Sequence, residues 1–412
     1  MKRLLAGAVV CLAMAWAMPV AAQLPLLQQP GQPAEILDPQ GLQPVRKAPL
    51  TILPSLTITG EYNDNIFLDN KNRASDFILG FTPGIAVTYE RPTYRLSAGY
   101  NFTAELFADH TEESHAFDRQ NFWADTKWRI DPHVTLSAND AFIYSTDTNL
   151  VSSAGVSSGR HRSYSNNLAA GVGWELDPLW TVRFSGSYTL ERFGGSGLED
   201  SDVYHVGAGV ERRVTRQLTA IGTYDFGYFD IESESKFTTH TPKVGGRWQA
   251  TDTITLTLTA GPSFELREDG QTHVTPAITA GYAQRLSFGA VGLAYDRSIG
   301  TAAGLGGPTD NDQVTGYLIV NTLLRGLSIQ LLPRYTVVES PHSDRIDIRA
   351  FTAALYAAYR LTDWMSLVGG YQFFHQRSDS TAVTNIGLPI ANDADQNRVF
   401  FGVQFGYPIR ID

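Results

Sequence analysis

Residues 93–107 read Thr-Tyr-Arg-Leu-Ser-Ala-Gly-Tyr-Asn-Phe-Thr-Ala-Glu-Leu-Phe. Tyr94, Leu96, Ala98, Tyr100, Phe102, Ala104 and Leu106 share one parity, and Arg95, Ser97, Gly99, Asn101, Thr103 and Glu105 share the other. Side chains of a strand point alternately to opposite faces, so this stretch forms a strand with one apolar and one polar side. Trp180 to Glu191 repeats the pattern, with Trp180, Val182, Phe184, Tyr188 and Leu190 opposed to Thr181, Arg183, Ser185, Thr189 and Glu191. Ile254 to Arg267 does so again, with Thr255, Thr257 and Thr259 on the polar side and Glu265 and Arg267 further along it.

Working outward, such segments recur from Ser55 to the C-terminus. Short turns join alternate pairs, at Glu90-Arg91-Pro92, Asp131-Pro132-His133, Asp177-Pro178-Leu179, Thr215-Arg216-Gln217, Thr251-Asp252-Thr253, near Arg285, at Arg325-Gly326 and at Thr362-Asp363. The other connections are longer and polar: Asp109 to Asp118, Thr146 to Arg162, Gly300 to Asp312 and Arg377 to Asn397. A period of roughly 40 residues also suits propeller blades. A blade needs four short strands, however, whereas each repeat here holds two longer strands, about the length a tilted membrane strand needs. Short turns at one end and long loops at the other mark an outer-membrane barrel. The fold expected is therefore all-β: a closed antiparallel transmembrane β-barrel of about eighteen strands over residues 55–412, with about sixteen as the second choice. An even number returns both chain ends to the short-turn, periplasmic side.

The N-terminus supplies the route. Met1-Lys2-Arg3 is a positive n-region, Leu4 to Val20 is an uncharged and mainly apolar run, and Val20-Ala21-Ala22 offers small cleavage residues. Residues 1–22 read as a secretory signal peptide. Cys11, the one cysteine, lies inside it, so the mature chain can form no disulfide, cysteine-ligated metal site or thiol nucleophile. Losing Lys2 and Arg3 takes the basic count from 32 to 30 against 42 acidic residues, and the charge from −10 to −12. That balance excludes the basic surface of a nucleic-acid binder. Residues 23–54 hold Pro25, Pro30, Pro33, Pro39, Pro44, Pro49 and Pro54 and are expected to be an extended periplasmic segment ahead of the barrel. No later stretch approaches the roughly 18 apolar residues of a spanning helix. A membrane role must come from strands in a closed barrel, where every backbone polar group is paired.

No catalytic or cofactor motif is present, and no cofactor or metal is expected. The Ser-centred elbow, the zinc-binding helix and the phosphate loop are all missing from the sequence. Asp109-His110 and His115 suggest an acid–base pair but have no nucleophile beside them. The acidic loops at Asp230, Glu232 and Glu234, and at Glu199, Asp200 and Asp202, lack the spacing of a known cation site. The polar faces offer fifteen charged candidates for the lumen wall: Arg95, Glu105, Asp125, Lys127, Arg129, Arg183, Glu191, Glu211, Arg213, Asp225, Arg247, Glu265, Arg267, Arg334 and Arg360. A charge facing lipid costs up to a few kcal/mol at mid-membrane, which favours the inward assignment. Together they describe a wet interior of mixed sign. Asp140 breaks the rule, sharing a face with Leu136 and Phe142, for which a bulge or a position near the loop side is the expected reason.

In the last strand Phe401, Val403, Phe405, Tyr407 and Ile409 alternate with Gly402, Gln404, Gly406 and Pro408. This resembles the C-terminal signal read by the barrel-insertion machinery, although it ends in Ile411-Asp412 where the signal has an aromatic residue. Outer-membrane lipid and that machinery are thus expected partners. Glu61-Tyr62-Asn63-Asp64-Asn65-Ile66-Phe67, followed by Ser75-Asp76-Phe77 and Thr82-Pro83-Gly84-Ile85, resembles the opening of the β-barrel porin family of exopolysaccharide gene clusters. The resemblance implies an eighteen-stranded porin that works with a periplasmic polysaccharide-export protein to pass polymer to the cell surface. It carries over no binding residue. Export of an exopolysaccharide is accordingly the leading expectation. A general or solute-specific diffusion porin is the alternative, a surface barrel enzyme acting on lipid or peptide a further one, and a plugged structural or adhesive barrel, which loops folding inward would decide, a third.

Overall fold

The computed structural model describes residues 49–411 apart from 233–235, 303, 322, 342–345 and 381–391. The signal segment and the proline-rich segment as far as residue 48 lie outside the described residues. The strands are β1 (Leu50–Asn63), β2 (Asp76–Glu90), β3 (Tyr94–Phe107), β4 (His115–Asp131), β5 (Val134–Asp147) and β6 (Arg160–Glu175). Next come β7 (Trp180–Phe193), β8 (Ser201–Arg213), β9 (Leu218–Ile231), β10 (Phe237–Gln249), β11 (Ile254–Arg267) and β12 (Thr272–Leu286). Last are β13 (Gly289–Gly300), β14 (Thr309–Val320), β15 (Leu327–Glu339), β16 (Asp347–Arg360), β17 (Met365–Ser378), β18 (Ala394–Gly406) and β19 (Ile409–Ile411).

Each strand pairs antiparallel with its neighbour in sequence, and β1 closes the ring against β18 from Ser55↔Gly406 to Asn63↔Arg398. β19 carries on the line of β18 and pairs with the start of β1 from Leu50↔Ile411 to Ile52↔Ile409. The barrel therefore has eighteen staves, with β18 and β19 forming one of them, and sixteen is excluded.

That seam corrects the expected boundary at residue 55. Residues 50–54 belong to β1. The pairs on either side of the gap between β18 and β19 keep one register, which sets Pro54 opposite Tyr407. The Tyr407 N–H donates to the Pro54 carbonyl at 3.3 Å. Proline has no N–H to return. It is tolerated because its missing donor faces the one place where the ladder is already interrupted by Pro408.

The parity of the sequence becomes two faces. Leu56, Tyr62, Phe77, Leu79, Leu106, Leu168, Phe184, Val206, Leu293 and Phe401 are exposed, while Thr57, Thr59, Asn63, Asn101, Thr103 and Asn121 on the opposite parity are buried. Trp128, Trp174, Trp248 and Trp364 stand exposed toward the short-turn rim, and Tyr164, Tyr204, Tyr224 and Tyr371 toward the long-loop rim. An apolar band between two aromatic girdles is the outer surface of a barrel that sits in a bilayer. Helix is confined to a single 3-10 turn at Thr111–Glu113 and to α1 (Thr148–Val151) among the described residues.

Candidate functional site

The connection from β5 to β6 does not project outward. Thr148, Val151, Ser152, Ala154, Val156 and Ser157 are all buried. The Ser153 N–H donates to Glu191 Oε1 on β7 at 2.8 Å, and an Arg334 guanidinium nitrogen on β15 donates to the Ser153 carbonyl. The Ser157 N–H donates to Gln376 Oε1 on β17 at 2.7 Å. β7 and β15–β17 lie on different sides of the ring, so residues 148–159 span the lumen.

The connection from β13 to β14 joins them. Thr301 Oγ1 donates to Glu191 Oε2 at 3.4 Å, and the Glu199 N–H donates to the Gly304 carbonyl at 2.8 Å. Gly304 has φ +74°, and a Cβ there would lie 2.9 Å from the Phe193 ring, so this crossing requires glycine. Ala154 and Val156 from one loop and Ala302 and Leu305 from the other pack with Leu68, Val338, Ile348 and Phe374 in one buried apolar cluster. The long-loop end of the lumen is therefore partly filled and partly dry. This corrects the expectation of a polar outward loop over Thr146–Arg162 and of a wet interior throughout. Serine and glycine dominate that loop, but Leu150, Val151, Ala154 and Val156 lie among them and gain more by burial than the loop loses.

A buried ionic network fixes the base of the crossing loop. Asp147, the last residue of β5, accepts from Arg398 Nη1 at 3.0 Å, Arg160 Nη1 at 3.0 Å and Arg119 Nη2 at 3.3 Å. Arg398 also grips Glu61 at 2.7 and 3.0 Å, and Arg119 reaches Glu105 at 3.0 Å. Of these only Glu105 stood among the sequence candidates. Arg119, Asp147, Arg160 and Arg398 sit where strand meets loop, a place where charge is read as solvated, and their partners come from opposite ends of the chain. The segment 61–67 has the same task. Glu61 holds Arg398, Asp64 accepts from the Asn397 backbone at 2.7 Å, and the Asn65 carbonyl accepts from Gln396 Nε2 at 2.8 Å. The opening segment therefore fastens the barrel seam.

The fifteen candidates divide by depth. Glu105, Glu191, Glu265, Arg267 and Arg334 lie toward the long-loop end, at or beneath the inward loops, and Glu265 is fully buried. Arg95, Asp125, Lys127, Arg129, Arg183, Glu211, Arg213, Asp225, Arg247 and Arg360 lie on the face opposite the apolar band, toward the short turns or midway. Arg95 faces Lys127 across the β3–β4 ladder. Glu211 accepts from Arg183 Nε at 3.1 Å and from Arg247 Nη1 at 3.2 Å, and Asp225 meets His205 Nδ1 at 2.8 Å. Seven of these ten are cations and three are carboxylates, in a chain of net charge −10, and Glu90, opposite Arg95, adds a carboxylate to the same face.

Asp140 has neither of its expected explanations. The register runs unbroken past it on both sides, Ala124↔Asp140↔Leu168, in the middle of β5. It is on the outer face and accepts from Asn166 Nδ2 at 2.7 Å. The acid–base reading is not assembled either. His110 Nδ1 meets Asp76 at 2.8 Å, and Asp76 also accepts the backbone N–H groups of Ala108 and Asp109, while His115 Nδ1 contacts the Glu113 carbonyl. Asp76 thus caps a loop. The acidic loops are met by basic side chains, Asp230 by Lys236 at 2.7 Å and Asp202 by Arg192 at 2.6 Å, and Glu234 lies outside the described residues. No cluster among the described residues could hold a metal ion.

No protein-family model matches the chain, and no curated protein sequence does. Among solved structures it is similar to OccAB4 of Acinetobacter baumannii, at 13% identity over 89% of this chain and 100% of that one, with a TM-score of 0.43. It is also similar to OccK3 of Pseudomonas aeruginosa, at 14% identity over 87% and 96% with a TM-score of 0.42. The siderophore receptor PirA of Pseudomonas aeruginosa is similar at 11% identity over 89% and 81%, with a TM-score of 0.41.

Proposed function

We propose that the chain is an outer-membrane channel through which small solutes diffuse, and that its short-turn wall favours anions. The observation that carries this is the loop 148–159, pinned across the lumen at Glu191, Arg334 and Gln376. A barrel of this size encloses a channel wide enough for water and solutes. A loop crossing it leaves space for small molecules and narrows the path for a thick polymer, which favours solute diffusion over exopolysaccharide export. Past the constriction, Arg95, Lys127, Arg129, Arg183, Arg213, Arg247 and Arg360 outnumber Asp125, Glu211 and Asp225. A wall of one dominant sign concentrates counter-ions, and weak binding at several sites lets them leave. Short turns face the periplasm in barrels of this kind, so a solute entering from outside meets the loops first and the cationic wall second.

The test is conductance of the refolded protein in a planar bilayer under a KCl gradient, with liposome swelling in sugars of rising size. Discrete openings, a reversal potential of chloride sign, and entry of monosaccharides with exclusion of long oligosaccharides are expected. Free passage of long oligosaccharides would restore the export reading. A silent bilayer would favour the plugged barrel, which the apolar cluster around Leu305 and Val156 supports as the second reading.

A further inference from the structure

We propose that the outer face of β4–β6 around Asp140 and Asn166 is where a second copy of this chain docks within the membrane. The proposal requires only that the barrel lie in a bilayer and is independent of what the lumen passes. Every other outward carboxylate among the described residues sits close to a strand end, whereas Asp140 is in the middle of β5. Four residues separate it from Tyr144, roughly 13 Å along a strand at about 3.3 Å per residue, and six separate it from Val134, which pairs with Trp174 of the opposite girdle. Asp140 is therefore within the apolar band. Acyl chains offer it no hydrogen-bond donor. Among the described residues Asn166 is its one donor, at 2.7 Å.

The surroundings of this dyad differ from the rest of the band. Ala124 lies beside Asp140 on β4, with Ala98 beyond it on β3. Ala138 faces Ala170, and Ala170 faces Gly186. Trp128, Leu168 and Phe184 stand exposed around these small residues. The result is a shallow floor with a bulky rim. Small residues let two membrane surfaces approach to backbone distance, where side-chain hydrogen bonds between them can form.

The chemistry favours a copy of the same chain over another protein. A carboxylate and an amide side by side are self-complementary. A two-fold axis near the dyad brings the amide of each copy to the carboxylate of the other, the isologous arrangement most common among homo-oligomers. One operation then supplies a second donor for Asp140 and a nearer acceptor for the Asn166 amide, which within one copy otherwise reaches only the Ala141 carbonyl at 3.5 Å.

Cysteine cross-linking in membranes tests this directly, because Cys11 is the only native cysteine. Ala170→Cys, and independently Ala138→Cys, should give an oxidised dimer. Leu293→Cys, exposed in the band on β13, should not. Adding Asp140→Leu to Ala170→Cys should cut the dimer by about fivefold or more, on the scale of intramembrane hydrogen bonds. Heat-modifiable gel mobility should be unchanged, since the substitution faces lipid, and native mass spectrometry of the otherwise native chain should show a dimer that Asp140→Leu converts to monomer. Equal cross-linking at Leu293→Cys, none at either alanine position, insensitivity to Asp140→Leu, or a monomer carrying bound lipid would overturn the proposal.

Discussion

Ser157 and Gln376 exchange two hydrogen bonds across the barrel: the Ser157 N–H donates to Gln376 Oε1 at 2.7 Å, and Gln376 Nε2 donates to the Ser157 carbonyl at 2.8 Å. One side-chain amide thus satisfies both backbone groups of a residue deep in the inward loop. Gln376 Nε2 also reaches the Asn392 carbonyl at 3.0 Å, so the same side chain ties the loop before β18 to the loop after β5.

Gln376→Ala should therefore release residues 148–159 from the wall. It leaves buried backbone groups without partners, at about 1–3 kcal/mol each. The barrel should persist, because the staves are paired independently of the loop. Single-channel current should rise and become noisier, and the size limit in liposome swelling should increase. Gln376→Glu keeps acceptors and loses donors, so it should fall between the two. An unchanged current for Gln376→Ala would mean that the loop does not narrow the conducting path.

Arg398→Met removes a cation shared by Glu61 and Asp147 and leaves two buried carboxylates short of a partner. Breaking a buried pair from one side costs about 3–5 kcal/mol. The temperature at which the compact gel species disappears should drop clearly. Adding Glu61→Gln should cost less than the sum of the two single changes, because the residues belong to one network. Additive losses would show that Glu61 and Arg398 act separately.

The fold was legible because a period of two is written in every stave. Thr93 to Phe107 states which residues meet lipid, and the count of such segments states the size of the ring. What the alternation does not encode is the path of a loop. Ser152, Ser153, Ser157 and Ser158 read as solvated, and only the three-dimensional arrangement shows Ser157 facing Gln376 and Ser153 facing Glu191. The ionic network was hidden for a related reason. Asp147 and Arg398 are 251 positions apart, and each looks ordinary at a strand end. Alternation did set Arg183, Glu211 and Arg247 on one face, but not their contact, which depends on register across four strands, β7 to β10. Pro54 misled because its lack of an N–H matters only if the neighbouring ladder is intact, and here it is not.

Barrel closure should be sensitive at Gly402. A Cβ there would lie 2.1 Å from the Ile58 carbonyl oxygen on β1 and 2.9 Å from Thr59 Cα. Backbone cannot yield as a side-chain tip does, so Gly402→Ala must part the β1–β18 seam or shift it. Overpacking of this kind costs about 1–3 kcal/mol. Slower appearance of the compact species during refolding and a lower melting temperature are expected. Gly60→Ala, on the same pairing but with nothing within 4 Å of its Cβ, should behave as the parent chain. Equal effects at both positions would remove the seam from the explanation.

The wall charges admit a test of sign. Glu211 lies between Arg183 at 3.1 Å and Arg247 at 3.2 Å, so it screens two guanidinium groups at once. Glu211→Gln removes the carboxylate and leaves both cations, which should raise chloride preference and move the reversal potential further in the chloride direction. Arg247→Gln at the same spot leaves one cation against one carboxylate, which should move it the opposite way. Glu211→Gln is nearly isosteric and Arg247→Gln shortens its side chain, so sterics could only widen the path at Arg247, and a shift in opposite directions reports the sign of the charge removed. Screening supplies a second check. The Debye length is about 10 Å at 0.1 M salt and about 3 Å at 1 M, so both shifts should shrink as the salt concentration is raised. Shifts of the same sign, or shifts indifferent to salt, would place Glu211 and Arg247 off the path that ions take.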